Sequence, residues 1–140
     1  VNDLLKVMSY DFDELDTYLI KKNFNYKPGS DSQNSETKND CKFIYEYSHK
    51  SKLNCAFAIY SCIYSDYSTT VSYRFTSDNE YLQLKEQLKI NEFTFLKAYD
   101  FEESHFLEYS KSASDGTLEA SIVSRNVPGI GIVYELSIIK

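Results

Sequence analysis

Two histidines, His49 and His105, and three cysteines, Cys41, Cys55 and Cys62, are the chain's whole stock of imidazoles and thiols. A thiol or hydroxyl nucleophile needs an imidazole within hydrogen-bond reach, a group to orient it, and an oxyanion site. A hairpin end could bring His49 to Cys41 or Cys62, but no glycine-rich elbow accompanies them, and both histidines are expected at exposed strand ends. Glu102, Glu103 and His105 offer oxygen and nitrogen ligands, and Glu103 and His105 would share a strand face. A metal site needs at least one more ligand, and the sequence names none, so these residues are expected to form a charged hairpin approach. Asp11, Asp13, Glu14 and Asp16 have the look of a calcium loop without its central glycine or its glutamate at the twelfth position. They fit the first turn of a helix, where the positive end of the macrodipole favours carboxylates. Glu46 and Glu108 each stand in a Glu-Tyr-Ser triplet. A catalytic pair would share a cleft, but each alternates with tyrosines expected to be buried, which predicts two separate surface carboxylates. No enzyme activity, metal or cofactor is expected.

The three cysteines match no zinc spacing and leave one thiol over if a disulfide forms. A hairpin turning near Lys52 would bring Cys41 close to Cys62, the pair expected to bridge in an exported chain. Free thiols are the alternative. A net charge of −6 argues against nucleic acid as a partner, because non-specific binding depends on clustered Lys and Arg. No run of 18 apolar residues is present, so no membrane span is expected. The opening at Val1 rather than Met suggests a removed leader and hence export to the periplasm or outside the cell, although a trimmed chain would begin the same way.

The positioning elements come as a repeat. Phe12, Leu15, Leu19, Phe24 and Tyr26 match Tyr81, Leu84, Leu88, Phe93 and Phe95 at a constant spacing of 69 residues, and Glu46-Tyr47-Ser48 matches Glu108-Tyr109-Ser110 at 62. About seven residues of loop account for the difference. Residues 2–8 suggest a short helical segment. Asp11 and Glu14 then form a capping pattern ahead of an amphipathic helix, and Asn23 can take the left-handed conformation that ends it. Pro28-Gly29 stops the short strand that follows, and residues 30–40, all polar, are expected to be mobile. Alternation predicts strands at 41–48 and 69–76, with a largely apolar strand at 53–62 between them. In the second copy Ser77 and Glu80 form a capping box for a helix over 78–90. Strands follow from Phe93, and at 105–111, 118–124 and 131–139, with turns at Ser114-Asp115-Gly116 and at 126–129.

These elements predict an α+β fold in which helix and about four antiparallel strands occur twice, in units 1–76 and 77–140 sharing one core. The helices would cover one sheet face. With 140 residues, thirteen Tyr, nine Phe and no Trp, the buried layer is unusually aromatic, and tyrosine suits a sheet with one partly wet face. If Phe43, Tyr45, Tyr47, Tyr73 and Phe75 point to the helices, the open face is expected to carry Ile44, Glu46, Tyr60, Arg74, Leu107, Glu108 and Glu135. Tyr, Arg and acids together suit an interaction surface.

The order of elements resembles that of the β-lactamase inhibitory proteins, which are tandem copies of a helical segment followed by a four-stranded antiparallel sheet. The stretch Lys-Lys-Asn-Phe-x-Tyr after the first helix and the terminal Tyr-Glu-Leu-Ser-Ile strand are similar to small uncharacterised exported bacterial proteins, in which a Gly often stands in place of Asn23. The expected function is a non-enzymatic binding or inhibitor-type module, recognising a protein or envelope component through the open face. The alternatives are a small-ligand carrier or enzyme with a pocket between the repeats, and an acidic cytoplasmic immunity protein neutralising a basic toxin.

Overall fold

The computed structural model describes residues 1–27, 41–62, 68–114 and 116–140, with the backbone alone for 41–44, 60–62 and 68. The loop expected at 30–40, the stop at Pro28-Gly29 and the turn residue Asp115 lie outside the described residues. Among the described residues three helices, α1 (Asn2–Val7), α2 (Phe12–Lys21) and α3 (Asp78–Ile90), accompany eight strands. The strands are β1 (Phe24–Tyr26), β2 (Cys41–His49), β3 (Ala56–Cys62), β4 (Ser68–Phe75), β5 (Thr94–Phe101), β6 (Ser104–Ala113), β7 (Gly116–Val127) and β8 (Gly131–Ile139).

Local chemistry sets the helix ends. The Asp11 carboxylate accepts the Glu14 N–H at 2.9 Å and the Glu14 carboxylate accepts the Asp11 N–H at 3.3 Å, so the predicted capping box satisfies two otherwise orphaned donors. Leu15 and Leu19, four apart on one face of α2, are both buried. At α3 the Ser77 hydroxyl accepts the Glu80 N–H, as expected. The Glu80 carboxylate differs from expectation by accepting the Tyr73 hydroxyl at 2.7 Å. A neighbouring strand has taken the second arm of that box. Beyond the two long helices, Asn23 has φ 70° and Glu92 φ 64°, each turning the chain through the left-handed region into the buried Phe24 or Phe93.

All strand pairs are antiparallel, and one eight-stranded sheet runs in the order β1-β2-β3-β4-β8-β7-β6-β5. The sheet is thus larger than a four-stranded unit. The strands following α2 fill one half and those following α3 the other, and β4 meets β8 along the midline. Register aligns Tyr26, Tyr47, Phe57, Tyr73, Leu136, Ile122, Leu107 and Ala98 across all eight strands. Residues of this row and its neighbours pack with Leu15, Leu19, Leu84 and Leu88 in one hydrophobic cluster, which defines the helix-covered face.

Tyrosine does more on this covered face than the expectation of wet hydroxyls allowed. Tyr47 donates to Asp16 at 3.0 Å, Tyr73 to Glu80 at 2.7 Å and Tyr134 to Asp78 at 2.8 Å, so strand hydroxyls are tied to helix carboxylates. Rings of Phe75 and Tyr81 stack on Tyr134 with centroids 5.4 and 4.6 Å away. Burial first, then the accepting carboxylate, pushes the Tyr134 hydroxyl up to about 12 and raises Tyr47 further, and burial followed by the Cys55 thiol and the Glu80 carboxylate does the same to Tyr73.

Candidate interaction face

The opposite face follows from the same register. One row crosses Asn25, Ser48, Ala56, Arg74, Glu135, Val123, Phe106 and Tyr99, and the next crosses Glu46, Ala58, Ser72, Ser137, Ser121, Glu108 and Lys97. The middle of the second row is all small residues. Ser72, only 3% exposed, shares a 2.6 Å hydroxyl hydrogen bond with Ser137 across the midline. Beside it Arg74 donates from Nε and Nη2 to one oxygen of Glu135, at 3.0 and 2.9 Å. Carboxylate and lysine flank the small residues on either side: Lys27 lies 3.4 Å from Glu46, and Lys97 3.2 Å from Glu108.

On the β5 side Tyr99 stacks flat on Phe106, with centroids 5.0 Å apart, and donates its hydroxyl to Glu108 at 2.7 Å. That hydrogen bond, with help from Lys97, holds the Glu108 carboxyl below the usual carboxylate range, while Glu108 raises the Tyr99 hydroxyl. Phe101, 62% exposed, extends the aromatic group along β5. An aromatic ledge therefore stands next to a low floor of Ala58, Ser72, Ser121 and Ser137.

Of the residues expected here, Glu46, Arg74, Glu108 and Glu135 fall in these rows. Leu107 does not: it is 8% exposed and pairs with Ile122 on the helix-covered face. Because side chains alternate along a strand, it cannot share a face with Glu108. The side chains of Ile44 and Tyr60 lie outside the described residues. At backbone level the β2–β3 register shifts between Phe43 and Tyr45, and Phe43 pairs with Tyr60, so the alternation expected through Phe43, Tyr45 and Tyr47 is broken there. Lys97, Tyr99 and Phe106 were missed by sequence reasoning. Their signal is the alternation of β5 against β6, which emerges only once β5 is seen to run to Phe101.

The remaining chemistry-bearing residues are kept apart. His49 Nδ1 accepts the backbone N–H groups of Ser51 and Lys52 at 3.2 and 3.1 Å, and its ring meets Phe24 edge-on. It shapes a turn. His105 Nδ1 pairs with Asp100 at 2.6 Å near the far edge of the sheet. Cys55 is buried beside the Tyr73 hydroxyl, and burial raises its thiol. Among the described residues no three His, Cys, Asp or Glu side chains are grouped to hold a metal ion, and no helix is long and apolar enough to cross a membrane. A cavity of about 370 Å³ lies under the helices, lined by Leu4, Leu19, Leu84 and Phe57, with Lys52 and Glu80 among its polar groups. No family model, curated protein or solved structure matches this chain.

Proposed function

We propose that this chain is a non-enzymatic, inhibitor-type recognition module that binds a partner protein through the open sheet face. The observation that carries the reading is the aromatic ledge of exposed Tyr99 and Phe101 and half-buried Phe106, which stands beside a row of small residues. Rigid aromatics next to a recess are the arrangement on which protein interfaces concentrate their binding energy. The two helix-plus-four-strand runs are read as tandem copies. Tyr26 pairs with Tyr47 as Phe95 pairs with Tyr109, which matches the constant spacings in the sequence. That architecture supports the resemblance to β-lactamase inhibitory proteins, and the similarity to small exported bacterial proteins supports a place outside the cytoplasm.

The test is capture of partners from native extract, repeated with the double variant Tyr99→Ala, Phe106→Ala and with Phe12→Ala on the helical side. A protein whose affinity drops at least tenfold with the double variant and is unchanged with Phe12→Ala supports the reading. A partner lost with Phe12→Ala and kept by the double variant overturns it. The cavity favours a second reading, a small-ligand carrier, since its volume lies in the range of small-molecule sites. A small molecule co-purifying with the protein and excluded by Leu84→Trp would favour that reading instead.

A further inference from the structure

Strands β2 and β3 pair so that Cys41 stands directly opposite Cys62, as Lys42 stands opposite Ser61. We infer that Cys41 and Cys62 are a disulfide pair, closing the open end of the β2–β3 hairpin, a modification independent of which partner the open face binds. In an antiparallel ladder directly opposed residues have Cα atoms roughly 4.5–5.5 Å apart and Cβ atoms at a similar separation. A disulfide spans Cα separations of about 4.4–6.8 Å, so the backbone needs no rearrangement to be bridged. The third cysteine is no competitor. Cys55 lies at the other end of the hairpin, seven residues before Cys62, a distance of about 23 Å along an extended strand. It is also buried against the helices, 3.5 Å from the Tyr73 hydroxyl.

The bond forms by two exchanges with a disulfide oxidant such as oxidised glutathione. One cysteine thiolate attacks the glutathione disulfide and expels one glutathione thiolate. The opposed thiolate then attacks the mixed disulfide at the protein sulfur and expels the second. Two protein thiols lose two electrons, one glutathione disulfide gains them, and the two thiol protons pass to the departing thiolates. The clasp ties together strand ends that lie far from the turn, where the hairpin's own hydrogen bonds are most prone to fray.

The whole chain is equilibrated with oxidised glutathione, alkylated with iodoacetamide after denaturation without reductant, digested and mapped by mass. The expected result is a single alkylated cysteine, Cys55, and one linked peptide pair containing Cys41 and Cys62, two hydrogens lighter than the sum of its parts. Reduction should raise the reactive thiols from one to three and lower the melting temperature, and Cys41→Ser or Cys62→Ser should abolish that response to reductant. Full alkylation of Cys41 and Cys62 in the oxidised sample, or a link involving Cys55 or a second chain, overturns the assignment. The peptide map of the unmutated protein decides the matter even if the serine variants fail to fold.

Discussion

Tyr47, Tyr73 and Tyr134 each reach from the covered sheet face to a helix carboxylate, and this sets how the protein responds to alkali. A hydroxyl raised in the folded state favours its protonated form there. Its contribution to stability is complete below the unfolded value near 10 and is lost as pH rises through the folded value, about 12 for Tyr134 and higher for the other two. Tyrosinate absorbance should therefore show the exposed tyrosines titrating first and these three ionising only with loss of native circular dichroism. Early, normal titration of all thirteen tyrosines would contradict it. These contacts were not legible in the sequence, which shows that tyrosines alternate but not which carboxylate a helix will hold above each ring. Leu107 was misplaced for a simpler reason. Its neighbour Glu108 was correctly put on the open side, and strand alternation then forbids Leu107 from joining it.

At the level of elements, both long helices were readable because their start signals are local: Asp11 with Glu14, and Ser77 with the Glu80 amide. Their ends were readable in part. Asn23 is a residue that tolerates the left-handed conformation, whereas Glu92 adopts the same conformation at φ 64° with a side chain that does not favour it. Replacing Glu92 with Gly should remove that strain and raise stability by about 0.5–1 kcal/mol, net of the flexibility glycine adds to the unfolded chain. A urea titration checks this, and a fall in midpoint would show that the turn is not strained. The ion pair of Glu92 with Lys111, 3.5 Å apart at an exposed site, counts for little in the comparison. Strand positions were legible from alternation, but register was not. The shifts between Phe43 and Tyr45 and between Phe95 and Lys97 depend on the partner strand, which no local pattern encodes.

Over the whole molecule, β4 and β8 share six paired positions, from Thr70 with Ile139 to Phe75 with Tyr134, and one core cluster contains buried residues from both halves. Separate melting of the halves would have to break this midline and expose Val71, Leu136 and Ile138, all essentially inaccessible to water. Calorimetry should accordingly give one transition whose calorimetric and van't Hoff enthalpies agree, and two resolved transitions would mean that the halves fold apart. The pairing of the last strand with the fourth was beyond local sequence reading, because it joins segments about sixty residues apart. At the outer margin, β5 leaves one side of its backbone unpaired along a strand whose residues are all exposed, a template on which further chains could stack into fibres. The surplus residue at Leu96 interrupts that template. An offset of this kind twists an edge strand out of line with an incoming chain, so the bulge that sets the β5–β6 register also blunts the margin against edge-to-edge stacking.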